Sequence, residues 1–403
     1  MDVSIKKGLL NGKVKAPPSK SYSHRYLIAS MLSKMESEIS NIYFSDDILA
    51  TLNCISVFGR KYLRKKDSVL FEKETFTNEI PVFECHESGS TLRFMIPISL
   101  SKYNHVVFKG TERLISRGIS VYEKIFEQQN IKIIKNSDSI EIEGHLHSGI
   151  FNVDGSLSSQ YITGLLFCLP LLDGDSVINI IPPIFSKPYI DLTLDILNKY
   201  SIEYQIKNNQ IFIKGNQKYI AKNYEVESDY SNAAFLDSFN YFGSSIQIDG
   251  LNPNSLQGDK VYQELFKQLS VDKPTIDVSN AIDLGPILFT FASLKNGATF
   301  INTDRLKNKE SDRVMAMKEE LDKIGVKIDV LDNKVIIHKS AIHEPQKVFN
   351  SHNDHRISMA LSLLSTKFDI MIQNADVVKK SYPAYFKDLE GLGAKITYGT
   401  NKK

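Results

Sequence analysis

Basic side chains stand beside Ser or Gly at the predicted start of two helices. In APPSKSYSHR the proline pair disfavours a helix before it, so Lys20, Ser21 and Arg25 gather at the first turn of the helix that follows. In ESGSTLR, Gly89 lets an anion approach the backbone closely, and Arg93 follows four residues later on the same side of the helix. Open N–H groups at a helix start attract anions, as cationic side chains do. The pattern therefore indicates anion binding.

Two later segments combine cations with groups that can carry a proton. KNKESDR places Lys309 and Arg313 on either side of Glu310, so that an anion clamp would flank a carboxylate able to move a proton. NDHR places His355 and Arg356 at the top of a nearly pure apolar helix, where a buried Arg needs a partner or an anion. Each segment alone is equally compatible with a capped helix that carries solvated ion pairs.

Other chemistries find little support in the sequence. It contains no GxxxxGK[ST] phosphate loop, no GxGxxG after a strand, no HExxH and no GxSxG elbow. The pairs His352/His355 and His145/His147 have the spacing of metal ligands, but no Cys or carboxylate set completes a recognised site. We therefore expect capping or surface roles for these histidines, and neither a metal nor an organic cofactor.

Composition narrows the class of protein. The chain has 403 residues, 42% of them hydrophobic and 24% charged, which suits two or three globular domains. A net charge of +2 provides no overall basic field for nucleic acid or a membrane surface. Cys54, Cys85 and Cys168 are odd in number and lie in apolar stretches, which argues against a disulfide framework. With no signal-peptide pattern and no long apolar run, the sequence predicts a cytoplasmic protein.

One structural plan recurs along the chain. Each copy has a polar run, an apolar helix, a strand and usually a second, amphipathic helix. The polar runs begin at Ser19, Glu87, Gly155, Ser228, Ser279 and Ser351. Matching order, turns and cap residues favour duplication over the ordinary alternation of strands and helices in an α/β protein. If several helix starts face one cleft, that cleft suits an anionic substrate although the chain is nearly neutral.

Together these segments resemble the 5-enolpyruvylshikimate-3-phosphate synthase family of enolpyruvyl transferases, nearly end to end. The motifs occur in the family's order: SKSYSHR, ESGSTLR, ERLISR, SSQYITGLL, SKPYIDLT, IDLGPIL, KESDR, NDHR and KKSYP. The resemblance implies an α/β (α+β) fold of two similar domains, each of three βαβαββ-like repeats, forming an inside-out α/β barrel with an interdomain cleft. It implies a first domain over residues 19–226 and a second over residues 1–18 and 227–403.

The resemblance also implies a reaction and a site. The 1-carboxyvinyl group of phosphoenolpyruvate would pass to the 5-hydroxyl of shikimate 3-phosphate through a tetrahedral intermediate, with release of phosphate. The implied catalytic residues are Lys20, Asp283 and Glu310. Shikimate 3-phosphate would be bound by Lys20, Ser21, Arg25, Ser158, Ser159, Gln160, Ser186, Asp283 and Lys309. Phosphoenolpyruvate would be bound by Lys20, Gly89, Arg113, Gln160, Arg313, Arg356 and Lys380, with Arg93, Tyr189 and His355 nearby. A monomer is implied, and glyphosate, which mimics phosphoenolpyruvate, is the implied inhibitor.

Three other functions compete with this interpretation. UDP-N-acetylglucosamine 1-carboxyvinyltransferases share the fold and the phosphoenolpyruvate chemistry, but they have Lys-Asn where this chain has Lys20-Ser21. Most of them also carry a loop Cys that the segment around Arg113 lacks. The presence of Lys20, Asp283 and Glu310 together speaks against a non-catalytic anion-binding homologue. A repeat-built scaffold, the third alternative, predicts no domain closure on ligand binding.

Overall fold

The structure is a computed structural model that describes residues 1–74 and 80–399. Within these ranges the chain forms two compact units. The continuous unit is Pro18–Glu227, and the split unit is Met1–Pro17 together with Ser228–Lys403. Residues 75–79 and 400–403, which the sequence analysis assigned to the first and second domain respectively, lie outside the described residues. No helix in the described ranges has the length and apolar content needed to cross a bilayer.

The elements alternate along the chain. The strands β1 to β22 are Asp2–Ile5, Asn11–Lys15, Ser37–Ser40, Arg60–Arg64, Ser68–Glu74, Val82–Glu84, His105–Lys109, Lys132–Lys135, Ser139–Glu143, Ile150–Asp154, Ser176–Ile181, Tyr204–Lys207, Gln210–Ile213, Tyr224–Glu225, Ser245–Asp249, Thr275–Asp277, Gly297–Ile301, Ile328–Leu331, Lys334–His338, Phe349–Asn350, Ile370–Gln373 and Ile396–Gly399. The helices α1 to α13 are Lys20–Leu32, Asp46–Val57, Gly89–Leu100, Glu112–Ser116, Ser120–Gln128, Ser159–Cys168, Lys187–Lys199, Tyr230–Asp237, Tyr262–Val271, Gly285–Ser293, Arg313–Asp322, His355–Ser362 and Tyr385–Gly391. Short 3-10 helices include Gly258–Val261, Ile282–Leu284 and Ala375–Lys380.

Most of the sheets share one topology. In the order β10-β11-β13-β12, the first two strands are parallel and the other two run antiparallel to their neighbours. The sheets β6-β7-β9-β8, β14-β3-β5-β4, β16-β17-β19-β18 and β20-β21-β1-β22 repeat this plan. The mixed α/β fold of two similar domains is therefore confirmed. The fourth repeat differs from the predicted plan, because in the described part of the chain its sheet is the two-stranded parallel pair β15-β2.

Each unit completes a sheet with a strand from its far end in the sequence. In the split unit, β1 lies between β21 and β22 and is antiparallel to both. In the continuous unit, β14 pairs in parallel with β3. Val3 and Ile5 of β1 are buried in the core of the split unit. The N-terminal segment is thus an integral part of the fold formed by the C-terminal half.

Helices that are apolar on all sides form the cores of the two units, as expected for buried helices. A side chain before the first turn caps the open N–H groups, and the polar residues farther along, such as Ser30 of α1 and Ser99 of α3, are buried. The capping residues of α1, α3, α6, α8 and α12 are Ser19, Ser88, Ser158, Asp229 and Asp354. Buried helix bodies with polar first turns leave the charged side chains of the motifs at the helix starts.

Candidate active site

In the continuous unit, Lys20 is the first residue of α1 and pairs with a carboxylate of α2. Its Nζ lies 2.8 Å from Oδ2 of Asp47, and the two side chains are 16% and 14% exposed. Asp47 is not among the predicted site residues, because acidic residues in a first helical turn usually need no partner beyond the helix dipole. The pair holds the ammonium of Lys20 in place while leaving part of it accessible.

Arg25 of α1 connects this helix to α7 of the same unit. Its guanidinium donates to Thr193 Oγ1 at 2.9 Å, to the Ser21 carbonyl at 2.7 Å and to the Tyr189 carbonyl at 2.9 Å. Burial lowers the pKa of Arg25 to about 10, so that it stays charged at neutral pH. The structure therefore brings Arg25, Ser21 and the first turn of α7, which follows Ser186, into direct contact.

Two guanidinium groups meet at the bare backbone of Gly89. A Cβ added there would lie 2.9 Å from Arg93 Nη1 and 3.1 Å from both Nη atoms of Arg117. Arg113, which was predicted for this place, is exposed and is not among these nearest neighbours. The motif ERLISR contains two arginines, and the structure turns the second of them, Arg117, toward Gly89.

Gln160 connects the arginine pair to α6. Its Oε1 accepts from Arg93 Nη1 at 2.9 Å, and its Nε2 donates to Ser90 Oγ at 2.9 Å. The Gln160 N–H donates to the capping side chain of Ser158 at 3.3 Å. Ser159 is buried beside it. The SSQ motif thus lies against the ESGSTLR motif, as a shared anion site requires.

In the split unit, one carboxylate stands among three cations. Asp283 accepts from Lys309 Nζ at 3.2 Å, from Arg313 Nη1 at 2.9 Å and from Arg356 Nη2 at 3.1 Å. Burial opposes ionisation of Asp283, but the positive charges of Arg356, Lys309 and Arg313 outweigh it and hold the pKa of this carboxyl well below its usual range. Asp283 is therefore ionised and fully engaged at neutral pH.

Arg313 links Asp283 to two further carboxylates. Its Nη2 donates to Glu310 Oε2 at 2.8 Å, and its Nε donates to Asp354 Oδ2 at 2.8 Å. Both Arg313 and Asp354 are almost completely buried. Burial favours the neutral form of Arg313, but Asp354, Glu310 and Asp283 overcome it and raise the pKa of Arg313 above its ordinary value. Glu310 remains partly accessible, with its side chain 20% exposed.

The other predicted residues of the split unit border this cluster. Burial lowers the pKa of Lys309 to about 8, although Asp283 counteracts it. Lys380 Nζ donates to the Asn353 carbonyl at 2.7 Å, two residues before His355, which is buried at the start of α12. Most candidate site residues of each unit thus lie at or beside helix starts; Arg113 also lies in the first turn of a helix, α4, but it is exposed.

The arrangement can bind anions and move protons. In the continuous unit the site brings together the cations Arg25, Arg93, Arg117 and Lys20, with Asp47 paired to Lys20. The split unit balances its cations with carboxylates, which suits proton transfer next to a bound anion. In the described ranges, two groups of side chains could hold a metal ion, and neither contains a predicted site residue; they are His105 with Glu141 and Glu143, and Glu319 with Glu320 and His352.

Comparisons with known proteins give a consistent result. The family model described as EPSP synthase (3-phosphoshikimate 1-carboxyvinyltransferase) matches residues 5–389. A protein named 3-phosphoshikimate 1-carboxyvinyltransferase from Clostridium perfringens (strain ATCC 13124) is 42% identical, over 97% of this chain and 98% of the relative. The protein of that name from Clostridioides difficile (strain 630) is 40% identical over 96% of each chain.

Two solved structures share the fold. EPSP synthase from Acinetobacter baumannii matches with a TM-score of 0.78 at 20% identity, over 98% of this chain and 100% of that one. The enolpyruvyl transferase NikO from Streptomyces tendae matches with a TM-score of 0.77 at 11% identity, over 98% of each chain. At these identities the two likenesses speak for the fold alone.

Proposed function

The chain belongs to the EPSP synthase family, and we propose that it transfers the 1-carboxyvinyl group of phosphoenolpyruvate to the 5-hydroxyl of shikimate 3-phosphate. Inorganic phosphate is the second product, and the product ether feeds the biosynthesis of chorismate and aromatic amino acids. The observation that carries the proposal is the contact of Asp283 with Lys309, Arg313 and Arg356 next to Glu310. Proton carriers set among anion-binding cations are what this transfer needs.

In the continuous unit the proposed ligands are phosphate and carboxylate groups. Shikimate 3-phosphate is bound by residues at the starts of α1, α6 and α7, namely Ser21, Arg25, Ser158, Ser159, Gln160 and Ser186. Phosphoenolpyruvate is bound at Gly89 by Arg93 and Gln160, and we assign to Arg117 the contact first predicted for Arg113. Charge-assisted hydrogen bonds from fixed guanidinium groups suit these oxyanions. Lys20 contacts both substrates and takes part in proton transfer.

In the split unit the proposed roles separate binding from proton transfer. Lys309 binds shikimate 3-phosphate, whereas Arg313, Arg356 and Lys380 bind phosphoenolpyruvate, beside His355. Tyr189, also predicted to lie near phosphoenolpyruvate, belongs to α7 of the continuous unit. Asp283 accepts the 5-hydroxyl proton as the hydroxyl oxygen attacks C2. Glu310 donates a proton to the methylene carbon and removes one again when phosphate leaves.

The ion pairs of Asp283 give this scheme an order of events. Arg356, Lys309 and Arg313 keep its pKa low, which makes the free carboxylate a weak base. A substrate anion that engages these cations withdraws their charge from Asp283. The pKa of Asp283 then rises toward the range in which a general base is effective. We therefore propose that the base is strengthened by substrate binding itself.

The proposal extends to inhibition and assembly. Glyphosate, which mimics phosphoenolpyruvate, competes at Gly89, and the protein acts as a monomer without a metal or organic cofactor. Sedimentation at several protein concentrations tests the monomer, since a stable oligomer would sediment faster at every one of them.

Phosphate release tests the function. Mixing the protein with phosphoenolpyruvate and shikimate 3-phosphate should release phosphate, whereas either substrate alone should not. UDP-N-acetylglucosamine replaces shikimate 3-phosphate in a parallel reaction. Release with the nucleotide sugar alone would assign the chain to the other carboxyvinyltransferase activity, and release with neither acceptor would favour a non-catalytic anion-binding protein.

Two substitutions test the proposed proton carriers. Lys20→Met and Glu310→Gln should each lose most of the activity, because both groups move protons in the scheme. Both variants should remain folded, since Arg313 keeps Asp283 and Asp354 as partners when Glu310 is neutral. Near-normal phosphate release from folded variants would remove these residues from the mechanism.

A further inference from the structure

A proline interrupts the hydrogen bonding of α3 at one of the site arginines. Pro97 lies inside this helix, four residues after Arg93. In an α-helix the carbonyl of Arg93 would accept from the N–H of residue 97, and proline has no N–H. Both residues are buried, where an unpaired carbonyl is costly. The backbone of Arg93 therefore needs a donor from another element.

The donor is the side chain of Tyr122 in α5. Its hydroxyl donates to the Arg93 carbonyl oxygen at 2.6 Å, whereas the Tyr161 carbonyl oxygen lies farther away, at 3.1 Å. Tyr122 is completely buried. Burial raises the pKa of this hydroxyl well above its usual value, so that it stays protonated and can donate. The hydroxyl of Tyr122 thus replaces the hydrogen bond that Pro97 removes from α3.

The neighbouring helix α6 leaves room for this replacement. A Cβ added to Gly164 of α6 would overlap with the Tyr122 hydroxyl and the Arg93 carbonyl oxygen, and it would lie 3.0 Å from Pro97 Cγ. A glycine inside a helix normally weakens that helix. Here the missing side chain lets α6 lie directly against the hydrogen bond between Tyr122 and Arg93.

The same tyrosine also supports the side chain of Arg93. The ring of Tyr122 packs edge-on against the ring of Tyr161, with the two centroids 5.0 Å apart. The guanidinium of Arg93 lies over the Tyr161 ring, 5.3 Å from its centroid. The Tyr161 hydroxyl and Arg93 Nη2 both donate to the Gly118 carbonyl at 3.2 Å. Tyr122 therefore contacts both the backbone of Arg93 and the ring against which its guanidinium packs.

We propose that Tyr122 is a positioning residue that orients the guanidinium of Arg93 for phosphoenolpyruvate, and that Pro97 makes Arg93 depend on it. Tyr122 itself touches no substrate in this scheme. Its hydroxyl fixes the first turns of α3, so that Arg93 Nη1 stays 2.9 Å from Gln160 Oε1 and close to the backbone of Gly89. The inference rests on the proposed function, which assigns phosphoenolpyruvate to Arg93.

A rescue experiment tests this dependence. Tyr122→Phe should raise the KM for phosphoenolpyruvate about tenfold, because the Arg93 carbonyl loses its donor and α3 shifts at this point. Adding Pro97→Ala should return the KM toward the wild-type value, since the N–H of the alanine supplies the missing helix hydrogen bond. The kcat and the KM for shikimate 3-phosphate should stay unchanged, as expected when only the binding of one substrate is weakened.

Two kinetic results would overturn the inference. One is a wild-type KM for phosphoenolpyruvate in folded Tyr122→Phe, and the other is a KM that stays raised in the double variant. If Tyr122→Phe does not fold, the double variant decides alone, because its Arg93 carbonyl has a donor again. Failure of the double variant to fold would also contradict the inference.

The matched control is Tyr219→Phe. Tyr219 is another buried tyrosine of the same unit, and its hydroxyl donates to the Phe167 carbonyl of α6 at 2.7 Å. The substitution removes the same atom and should lower the melting temperature, but it should leave the KM for phosphoenolpyruvate unchanged. An equal rise of this KM in Tyr219→Phe and Tyr122→Phe would show a general loss of packing and overturn the positioning role.

Crystal structures of Tyr122→Phe and the double variant test the inference without any turnover. The distance from Arg93 Nη1 to Gln160 Oε1 should lengthen in Tyr122→Phe and return to the wild-type value in the double variant, whether or not the wild type releases phosphate. An unmoved guanidinium in Tyr122→Phe would contradict the positioning role. If the wild type is inactive but Arg93 moves in this way, the proposed function fails while the positioning of Arg93 stands.

Discussion

Gly89 has no side chain, so the guanidinium groups of Arg93 and Arg117 can lie close to its backbone. At Gly89 the nearest atoms to an added Cβ are the far ends of Arg93 and Arg117, at 2.9 and 3.1 Å. These are flexible side-chain ends rather than backbone. A larger residue would therefore displace charge from the site and leave the fold intact.

Gly89→Ala tests this. We expect the KM for phosphoenolpyruvate to rise about tenfold or more, the equivalent of one weakened charge-assisted hydrogen bond, with an unchanged melting temperature. Gly391→Ala is the control, because a Cβ there meets nothing within 4 Å. Steady-state kinetics with phosphoenolpyruvate as the varied substrate decide it. An unaltered KM in Gly89→Ala would mean that the arginines do not bind this substrate.

Lys309 makes anion binding depend on pH. Burial lowers its pKa to about 8, so that the free protein carries this charge below pH 8 and loses it above. The phosphate of the substrate does not titrate in this window, since the second pKa of a phosphate monoester is about 6. We expect kcat/KM for shikimate 3-phosphate to fall as the pH rises through about 8. In Lys309→Arg the fall should move to higher pH, because the guanidinium stays charged. The same alkaline limb in both proteins would exclude Lys309 as its source.

For individual residues, the sequence predicts which residue types form the site better than it predicts which side chains they contact. The motifs singled out Lys20, Asp283, Glu310 and Arg356, and the structure groups the residues of each unit at helix starts. Arg113 and Arg117 are indistinguishable by type, and only the three-dimensional path of ERLISR decides which one reaches Gly89. The partnership of Asp47 with Lys20 could not be predicted either, because it depends on how α2 packs against α1. The roles of all these residues remain predictions.

Among the elements, a chain of side-chain hydrogen bonds connects the three helices α1, α2 and α3. His24 of α1 bonds Thr51 of α2 at 2.7 Å, and Thr51 bonds Thr91 of α3 at 2.7 Å. Thr91 in turn bonds the cap residue Ser88 at 2.7 Å. Burial, together with Lys20 and Arg25, lowers the pKa of His24 well below its usual value, so that it takes part as a neutral ring.

Thr51→Val removes the central hydroxyl of this chain. It leaves ring and hydroxyl groups of its neighbours buried with fewer partners, which should lower the free energy of unfolding by about 1–3 kcal/mol. Thr290→Val is the control, because the hydroxyl of Thr290 donates to the Pro286 carbonyl of its own helix and to no other helix in the described ranges. Urea denaturation measures both. Equal losses in the two variants would show that the chain contributes nothing beyond a local bond.

The N-caps of the helices are the features that the sequence predicts most directly. Ser, Thr and Asp before an apolar run have a local signature, and Ser19, Ser88 and Ser158 do cap their helices. The reduced fourth repeat was not predictable, since its strand β2 lies more than two hundred residues before its partner β15. Pairing at such separation is set by tertiary packing rather than by a local pattern.

At the scale of the whole molecule, the split unit depends on both ends of the chain. Ile5 of β1 is 2% exposed and pairs with Ile370 of β21 and Ile396 of β22. Loss of its packing should therefore weaken strands that lie more than 360 residues away in the sequence.

Ile5→Ala should destabilise the split unit by about 2–5 kcal/mol through the cavity that it leaves. Hydrogen exchange should speed up in β21 and β22, while the continuous unit keeps its protection. Leu9→Ala is the control, because Leu9 is 59% exposed and should change stability by less than about 0.5 kcal/mol. Faster exchange in both units alike would contradict the assignment of β1 to the split unit's core.

The proposed reaction transfers the carboxyvinyl group with cleavage of the C–O bond of phosphoenolpyruvate. Phosphoenolpyruvate labelled with oxygen-18 at its bridging oxygen, mixed with shikimate 3-phosphate and the protein, tests it in one reaction. Phosphorus NMR of the released phosphate should show the label in the phosphate. Label that remains in the organic product, or no phosphate at all, would rule out this reaction.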